Sequence, residues 1–392
     1  MKARRERVVW LDFFRGAAVL VMIETHVVNT FLASAMRVES WFTVLNYVNG
    51  LVAPSFLFIA GFVQGMERAS NPGKAINYGR RGRRLLGLLL LGYALHFPWT
   101  ELAQHRWDDA VRVGTQVDVL QCIAAALGLV LLVGGGADWI RANALKGSQD
   151  DQKQTGAWRE FLLGDGMWWL GVTALLSCAV FAAPATAVSR NLPIPLEAWI
   201  NASTSSWFPL FPWVGFVFAG ALAGAASGIG RVVEDRTAGK ARAALSILPN
   251  PANLFGARSA VLLVTPLPLA LAAWASRDAH YSNVSPASFL ERTAWVFVLA
   301  AVCEWWAARR RLPKLVLFAG QHSLTLYVMH LVLISTLVGN GVPAGKFMSG
   351  VVLGMILVVS AVSLCLTGLY GWAWSAMTSW PLFARTPSKA SR

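Results

Sequence analysis

The chain has 392 residues, 56% of them hydrophobic and 14% charged, where soluble domains carry roughly 25% charged residues. Several apolar runs exceed the ~18 residues that mark a membrane-spanning helix, which excludes a soluble globular fold and predicts an all-α, polytopic helix bundle. The formal net charge of +14 forms no single patch, which argues against a nucleic-acid partner and leaves the lipid bilayer as the surrounding medium.

Ten spans are predicted: Val8 to Ala35, Val44 to Met66, Leu85 to Phe97, Val117 to Gly134, Met167 to Ala185, Trp207 to Ser227, Ser259 to Ser276, Thr293 to Ala308, Leu315 to Val338 and Ser349 to Thr378. They are read as one transmembrane domain over 1–392. The amino-terminal MKARRERVVW leads into the first span without a small-residue cleavage site, so no cleavable signal peptide is expected.

That first span, VVWLDFFRGAAVLVMIETHVV, carries Asp12, Arg15, Glu24 and His26. At ~100° per residue, Asp12, Arg15 and His26 fall within an arc of ~60°, with Glu24 on the other side. Arg15 and His26 are eleven residues apart, hence ~16 Å along the axis, and would serve one cavity at two depths. A charge at membrane depth costs at least ~2.5 kcal/mol and normally faces a bundle interior or a watery cavity, so this helix is expected to be internal. The structural alternatives are an Asp12–Arg15 ion pair one turn apart that fixes the helix, a hydrogen bond from His26 to a neighbouring helix, and a partner for Glu24 on another helix.

Farther along, the third span is short, with room to begin lower by snorkelling Arg83 and Arg84 or to run past Pro98. It is followed by His96 at its outward end and by Asp118 in QVDVLQC. The polar stretch KGSQDDQKQTGAW is a linker that would divide four helices from six. In FPLFPW, Pro209 and Pro212 should kink or unwind the start of the sixth span. Trp199, Trp207 and Trp213 nearby belong either to an interfacial aromatic belt or to a sugar-stacking surface. The ninth span, in GQHSLTLYVMHLVLI, places Ser323, Tyr327 and His330 on one face. His26, His330, His96 and Asp118 all count to a similar depth in the outer half of the membrane, and four such groups at one level suggest a site. The four cysteines lie within spans, so neither a disulfide framework nor a metal site is expected.

The loops carry the charge unequally. Twenty-six Lys and Arg lie before the first span, on alternate loops and in the tail, against seven on the other five loops. This predicts both termini in the cytoplasm and, in a cell, a multi-pass inner-membrane protein. The bias needs no further ligand, although Arg80, Arg81, Arg83 and Arg84 are also placed to receive an anionic cofactor.

The segments LDFFRGAAVLVMIETH, APSFLFIAGFVQGM, VDVLQCIAAALGL, FPLFPWVGFVFAG and GQHSLTLYVMHLVLI, in this order, resemble the heparan-alpha-glucosaminide N-acetyltransferase catalytic-domain family, within a membrane acyltransferase superfamily that includes acyltransferase-3 proteins. The spacing from Arg15 to His26 is similar to the Arg-x10-His motif of the latter. The resemblance implies transfer of an acetyl group from cytosolic acetyl-CoA, without a metal, to an amino sugar or glycan across the membrane. In the lysosomal enzymes of the family the position matching His26 is Asn and the catalytic His lies in the loop after the first helix, about where this chain has Arg37. His26 would then be the base or a transient acetyl carrier, with His330 the next candidate and Asp118 the carboxylate that orients the imidazole. Asp12 and Arg15, with the four arginines of the 80–84 run, would hold the coenzyme. His96, Trp213, Ser323 and Tyr327 would contact the acceptor. A homodimer is possible on this reading. The alternative is a permease for a small anion or sugar, although the lack of an internal repeat weakens an inverted-repeat transporter.

Overall fold

The computed structural model describes residues 8–70, 77–146, 165–186, 192–200, 206–241, 266–275 and 285–379. Among them every regular element is helical. The chain forms two compact units, one from residues 1–52 and 306–392 and the other from residues 53–305.

The first unit is built on α1 (Val9–Phe31). Beyond a 3-10 turn at Ser34–Val38 comes α2 (Ser40–Asn49). The Arg37 guanidinium turns back onto the Asn29 and Leu32 carbonyls at 2.8 and 3.2 Å, satisfying acceptors that the end of α1 leaves open. A glycine pair sets the main crossing of this unit. A Cβ on Gly16 would meet the Val316 carbonyl, and one on Gly320 the Asp12 carbonyl, so the two backbones touch where only glycine fits.

The predicted ninth span is not continuous. In its place are a short helix (Lys314–Gln321) and a longer one (Ser323–Gly339), bent by 86° from one another. The break falls at His322, whose φ of −113° and ψ of 23° leave the helical region. A final helix, Ser349–Ser379, returns along α1 and the Ser323–Gly339 helix. The loop before it pairs with the end of α1, Ala33 N–H donating to Phe347 at 3.0 Å and Phe347 N–H to Phe31 at 3.0 Å. Below this seam Ile23, Val27, Val28, Phe31, Leu32, Ile334, Val352 and Val359 form one buried apolar cluster.

The second unit holds α3 (Val52–Ser70), α4 (Tyr78–Leu95), α5 (Trp99–Ala103), α6 (Trp107–Gly114), α7 (Val119–Lys146), α8 (Gly166–Thr186), α9 (Ile194–Ile200), α10 (Leu210–Ala241), α11 (Pro266–Ala275) and α12 (Pro286–Arg309). The three helices of the first unit that follow are α13 (Lys314–Gln321), α14 (Ser323–Gly339) and α15 (Ser349–Ser379). α3 and α10 meet through two GxxxG pairs. A Cβ on Gly61 or Gly65 would strike the Val217 or Ala221 carbonyl, and one on Gly220 or Gly224 the Phe58 or Phe62 carbonyl. α4 starts at Tyr78, capped by the Asn77 side chain, and stops before His96; the span thus begins lower, and Pro98 opens α5 instead of extending it. At the start of α10 the Phe211 backbone is extended, with φ −106° and ψ 128°, as a residue before proline prefers. The division at the polar linker is not observed: the second unit runs through it, because α10 packs on both α7 and α8. The linker itself and most of the seventh predicted span lie outside the described residues.

Five helical stretches among the described residues are long and apolar enough to cross a membrane, and six if α13 and α14 count as one. α1, with 23 residues, has the length but is held outside that set by its charged and polar side chains.

Candidate active site

Two groups of the expected site residues are brought together, one in each unit. In the first unit the face shared by Asp12, Arg15 and His26 is real in its consequences. Asp12 is buried against α13, and its carboxylate lies 3.9 Å from the Arg15 guanidinium, whose side chain is 28% exposed. Higher on the helix, the His26 and His330 rings stand 5.1 Å apart, centre to centre. Since α14 begins only at Ser323, His330 is two turns into it, and its level is fixed by this contact rather than by counting from Leu315.

His330 is fully buried. Its Nδ1 lies 2.9 Å from the Leu326 carbonyl, an acceptor only, so Nδ1 carries the proton and donates. The neutral ring then presents Nε2 as an acceptor, and this atom has no hydrogen-bond partner. Tyr327, also buried, lies 5.7 Å from the His330 ring. Ser323 is half-buried at the start of α14. His26 is half-buried, more open than His330.

Glu24, on the opposite side of α1, accepts a long hydrogen bond from the Asn49 amide of α2 at 3.5 Å, the helix partner its position required. Arg37, at the place of the family's loop histidine, is occupied in capping α1. One feature was missed by sequence reasoning. Ser363 and Thr367, one turn apart on α15, are buried with no hydrogen-bond partner for their hydroxyls. Their four-residue spacing within SAVSLCLTG was the available signal.

In the second unit His96 Nδ1 donates to the Gly92 carbonyl at 3.1 Å, and the Asp118 carboxylate lies 3.7 Å from its Nε2. Asp118 thus faces an imidazole, that of His96. Trp213 packs edge-on against Phe208, with the Arg292 guanidinium 6.0 Å from its ring centre. Among the expected coenzyme arginines, Arg81 is paired with Glu67 at 2.8 Å, while Arg80, Arg83 and Arg84 are exposed along the first turns of α4. Beside them is an ionic knot that the sequence did not announce. Arg68 bridges Asp138 at 3.0 Å and Asp165 at 2.8 Å, and lies over the Trp168 ring; Arg141 also reaches Asp165 at 2.9 Å. The Tyr78 hydroxyl donates to Asp138. With two arginines against two carboxylates this knot carries no net charge and joins α3, α4, α7 and the start of α8. Among the described residues no cluster of His, Cys, Asp and Glu has the arrangement of a metal site.

Apolar helices of membrane-spanning length, with a half-buried and a fully buried imidazole in contact, define a membrane protein with polar groups inside a helix bundle. Residues 7–144 match the family model described as heparan-alpha-glucosaminide N-acetyltransferase, catalytic, in agreement with the resemblance read from the sequence. The match runs from α1 through most of α7 and includes His26, His96 and Asp118. No curated protein matches the chain.

Proposed function

We propose that the protein transfers an acetyl group from cytosolic acetyl-CoA to the amine or hydroxyl of an amino sugar or glycan on the outer side of a cell's inner membrane, with both termini in the cytoplasm. The observation that carries this reading is the contact of His26, which lies within the family match, with His330 of α14. The acceptor nitrogen or oxygen attacks the thioester carbonyl carbon, the carbon–sulfur bond breaks, and the acceptor's proton ends on the departing thiolate. His26 is the base that takes that proton and returns it to sulfur, a role suited to an imidazole near neutral pH. Its more open setting leaves it reachable by an acceptor. His330, held through Nδ1 by the Leu326 carbonyl, presents Nε2 and positions the neighbouring His26 ring.

Arg15, with Asp12 beside it, lies ~16 Å below His26 along α1, a distance spanned by an extended pantetheine arm whose pyrophosphate remains near the cytoplasmic end. Within the first unit we assign Ser323 and Tyr327 to the acceptor. Within the second, taken by itself, we assign Arg80, Arg83 and Arg84 to coenzyme phosphate, and the His96–Asp118 pair and Trp213 to acceptor contacts, on the resemblance.

The test compares His26→Ala and His330→Ala in one assay of radiolabelled acetyl-CoA and an amino-sugar acceptor. Loss of a general base removes ~10²- to 10⁴-fold in rate, so His26→Ala should lose most turnover while still binding coenzyme, and His330→Ala should lose less. A dead His330→Ala beside a near-normal His26→Ala would move the base to α14. Substrate flux without acetyl-CoA consumption would instead favour a permease.

A further inference from the structure

Resting on the acetyltransferase reading, we propose that Ser363 and Thr367 of α15 form with His330 a hydroxyl-lined lane that receives the amide-bearing arm of the acyl thioester donor. Among the described residues four buried hydroxyls have no hydrogen-bond partner, Ser227, Ser288, Ser363 and Thr367, and the last two stand one turn apart on a single helix. Thr25, Thr115, Thr293 and Thr336 each donate back to the carbonyl four residues earlier, at 2.7 to 2.8 Å, the ordinary way for a helical hydroxyl to be satisfied. Ser363 and Thr367 are 0% and 1% exposed and have no such bond. A buried hydroxyl without a partner costs about 1–3 kcal/mol, and two on one face of one helix point to a ligand that satisfies both.

Their place in the fold says which ligand. Val359 of α15 and Ile334 of α14 belong to the same apolar cluster. Ser363 and His330 each lie one turn from that cluster in the same direction, toward α13, where a Cβ on Gly368 would lie 4.0 Å from the Phe318 ring. Thr367 lies one turn farther. From the α13 end, where Asp12 and Arg15 stand, Thr367 therefore comes first, and Ser363 follows at the level of His330 Nε2 on the facing helix. Hydroxyl donors spaced by one helical turn, ~6 Å, suit an extended chain with two amide carbonyls a few carbons apart. The pantetheine arm of coenzyme A is such a chain. A carbonyl accepts from each hydroxyl, and the thioester end reaches the histidines.

The experiment has two arms. In a cysteine-free background, Ser363→Cys and Thr367→Cys are treated with a charged methanethiosulfonate reagent, beside Val362→Cys on the exposed face of α15. Reaction at 363 and 367 but not 362, with protection by pantetheine, is the expected result. In the second arm, Ser363→Ala and Thr367→Ala are assayed with acetyl-CoA, S-acetylpantetheine and an amide-free acetyl thioester. Each should raise KM about 3- to 10-fold for the two amide-bearing donors, with a clearly smaller rise for the amide-free one. Thiols that do not react, or an equal loss with all three donors, overturn the lane and leave the enzyme reading intact. Labelling with pantetheine protection but no turnover from any donor would sustain the lane and overturn the acetyltransferase.

Discussion

Arg15 is where structural and functional demands on a single residue separate most cleanly. Its contact to Asp12, at the 3.9 Å limit of an ion pair and 28% exposed, is a weak one, and partly exposed pairs of this kind contribute under about 1 kcal/mol. Arg15→Ala should therefore leave the melting temperature within a few degrees of the parent while weakening acetyl-CoA affinity in calorimetry. An unchanged affinity would reduce Arg15 to the partner of Asp12. The α1 residues were legible because a helix repeats at a fixed angle: Asp12, Arg15 and His26 share a face by arithmetic, and Glu24 had to find its own partner. The imidazole pair was legible only as two groups at one depth. Ser363 and Thr367 were passed over because a hydroxyl barely disturbs an apolar pattern, and whether it bonds to its own helix is a matter of rotamer, which composition does not encode.

Among elements, the ionic knot between α3, α7 and α8 could not have been read from periodicity, because Arg68 and Asp165 are 97 residues apart in sequence. Its most accessible reporter is Tyr78, at the cytoplasmic start of α4 by the charge reading. Burial, and then the Asp138 carboxylate that accepts its proton, push the Tyr78 phenol up to about 12, from an ordinary value near 10. A group whose folded value is raised stabilises the fold fully below its unfolded value and loses that contribution as pH rises through the folded one. Stability should thus fall between about pH 10 and about 12, and Tyr78→Phe should flatten the fall in a series of thermal melts; identical slopes would place the alkaline loss elsewhere. The bend between α13 and α14 was equally hidden. GQHS contains no proline, and its apolar flanks on both sides fit a straight span, so only the backbone of His322 and the close approach of Gly320 to α1 reveal the corner.

For the whole molecule, membrane residence and helical class were already in the composition, and each predicted span overlaps a helix or a helix pair among the described residues. Span count and sidedness rest on the charge asymmetry of 26 against seven. The expected outcome of cysteine-accessibility mapping is that both termini and the loops bearing Arg80, Lys153, Arg242 and Arg310 label from the cytoplasmic side. External labelling at Lys153 would invert the order of depths along α1 and, with it, the direction in which coenzyme enters. Lys153 and Arg242 lie outside the described residues, so here the sequence speaks alone. What it could not foresee is the grouping into units, since that depends on which helices touch, and α1 touches helices from the far end of the chain.

That discontinuity has a consequence for biogenesis. α1 emerges from the ribosome before α13 and α14 and is a poor membrane segment by itself, yet the surfaces that cover Gly16 and His26 lie on those two helices, starting at Lys314. At ~5–20 residues per second of synthesis, α1 waits on the order of tens of seconds with its charged face uncovered. During that interval it depends on the insertion machinery or on a chaperone, and a nascent chain that stalls before α13 holds His26 without His330. Such a chain exposes ionisable groups at membrane depth, a mark by which quality control can distinguish it from the finished protein.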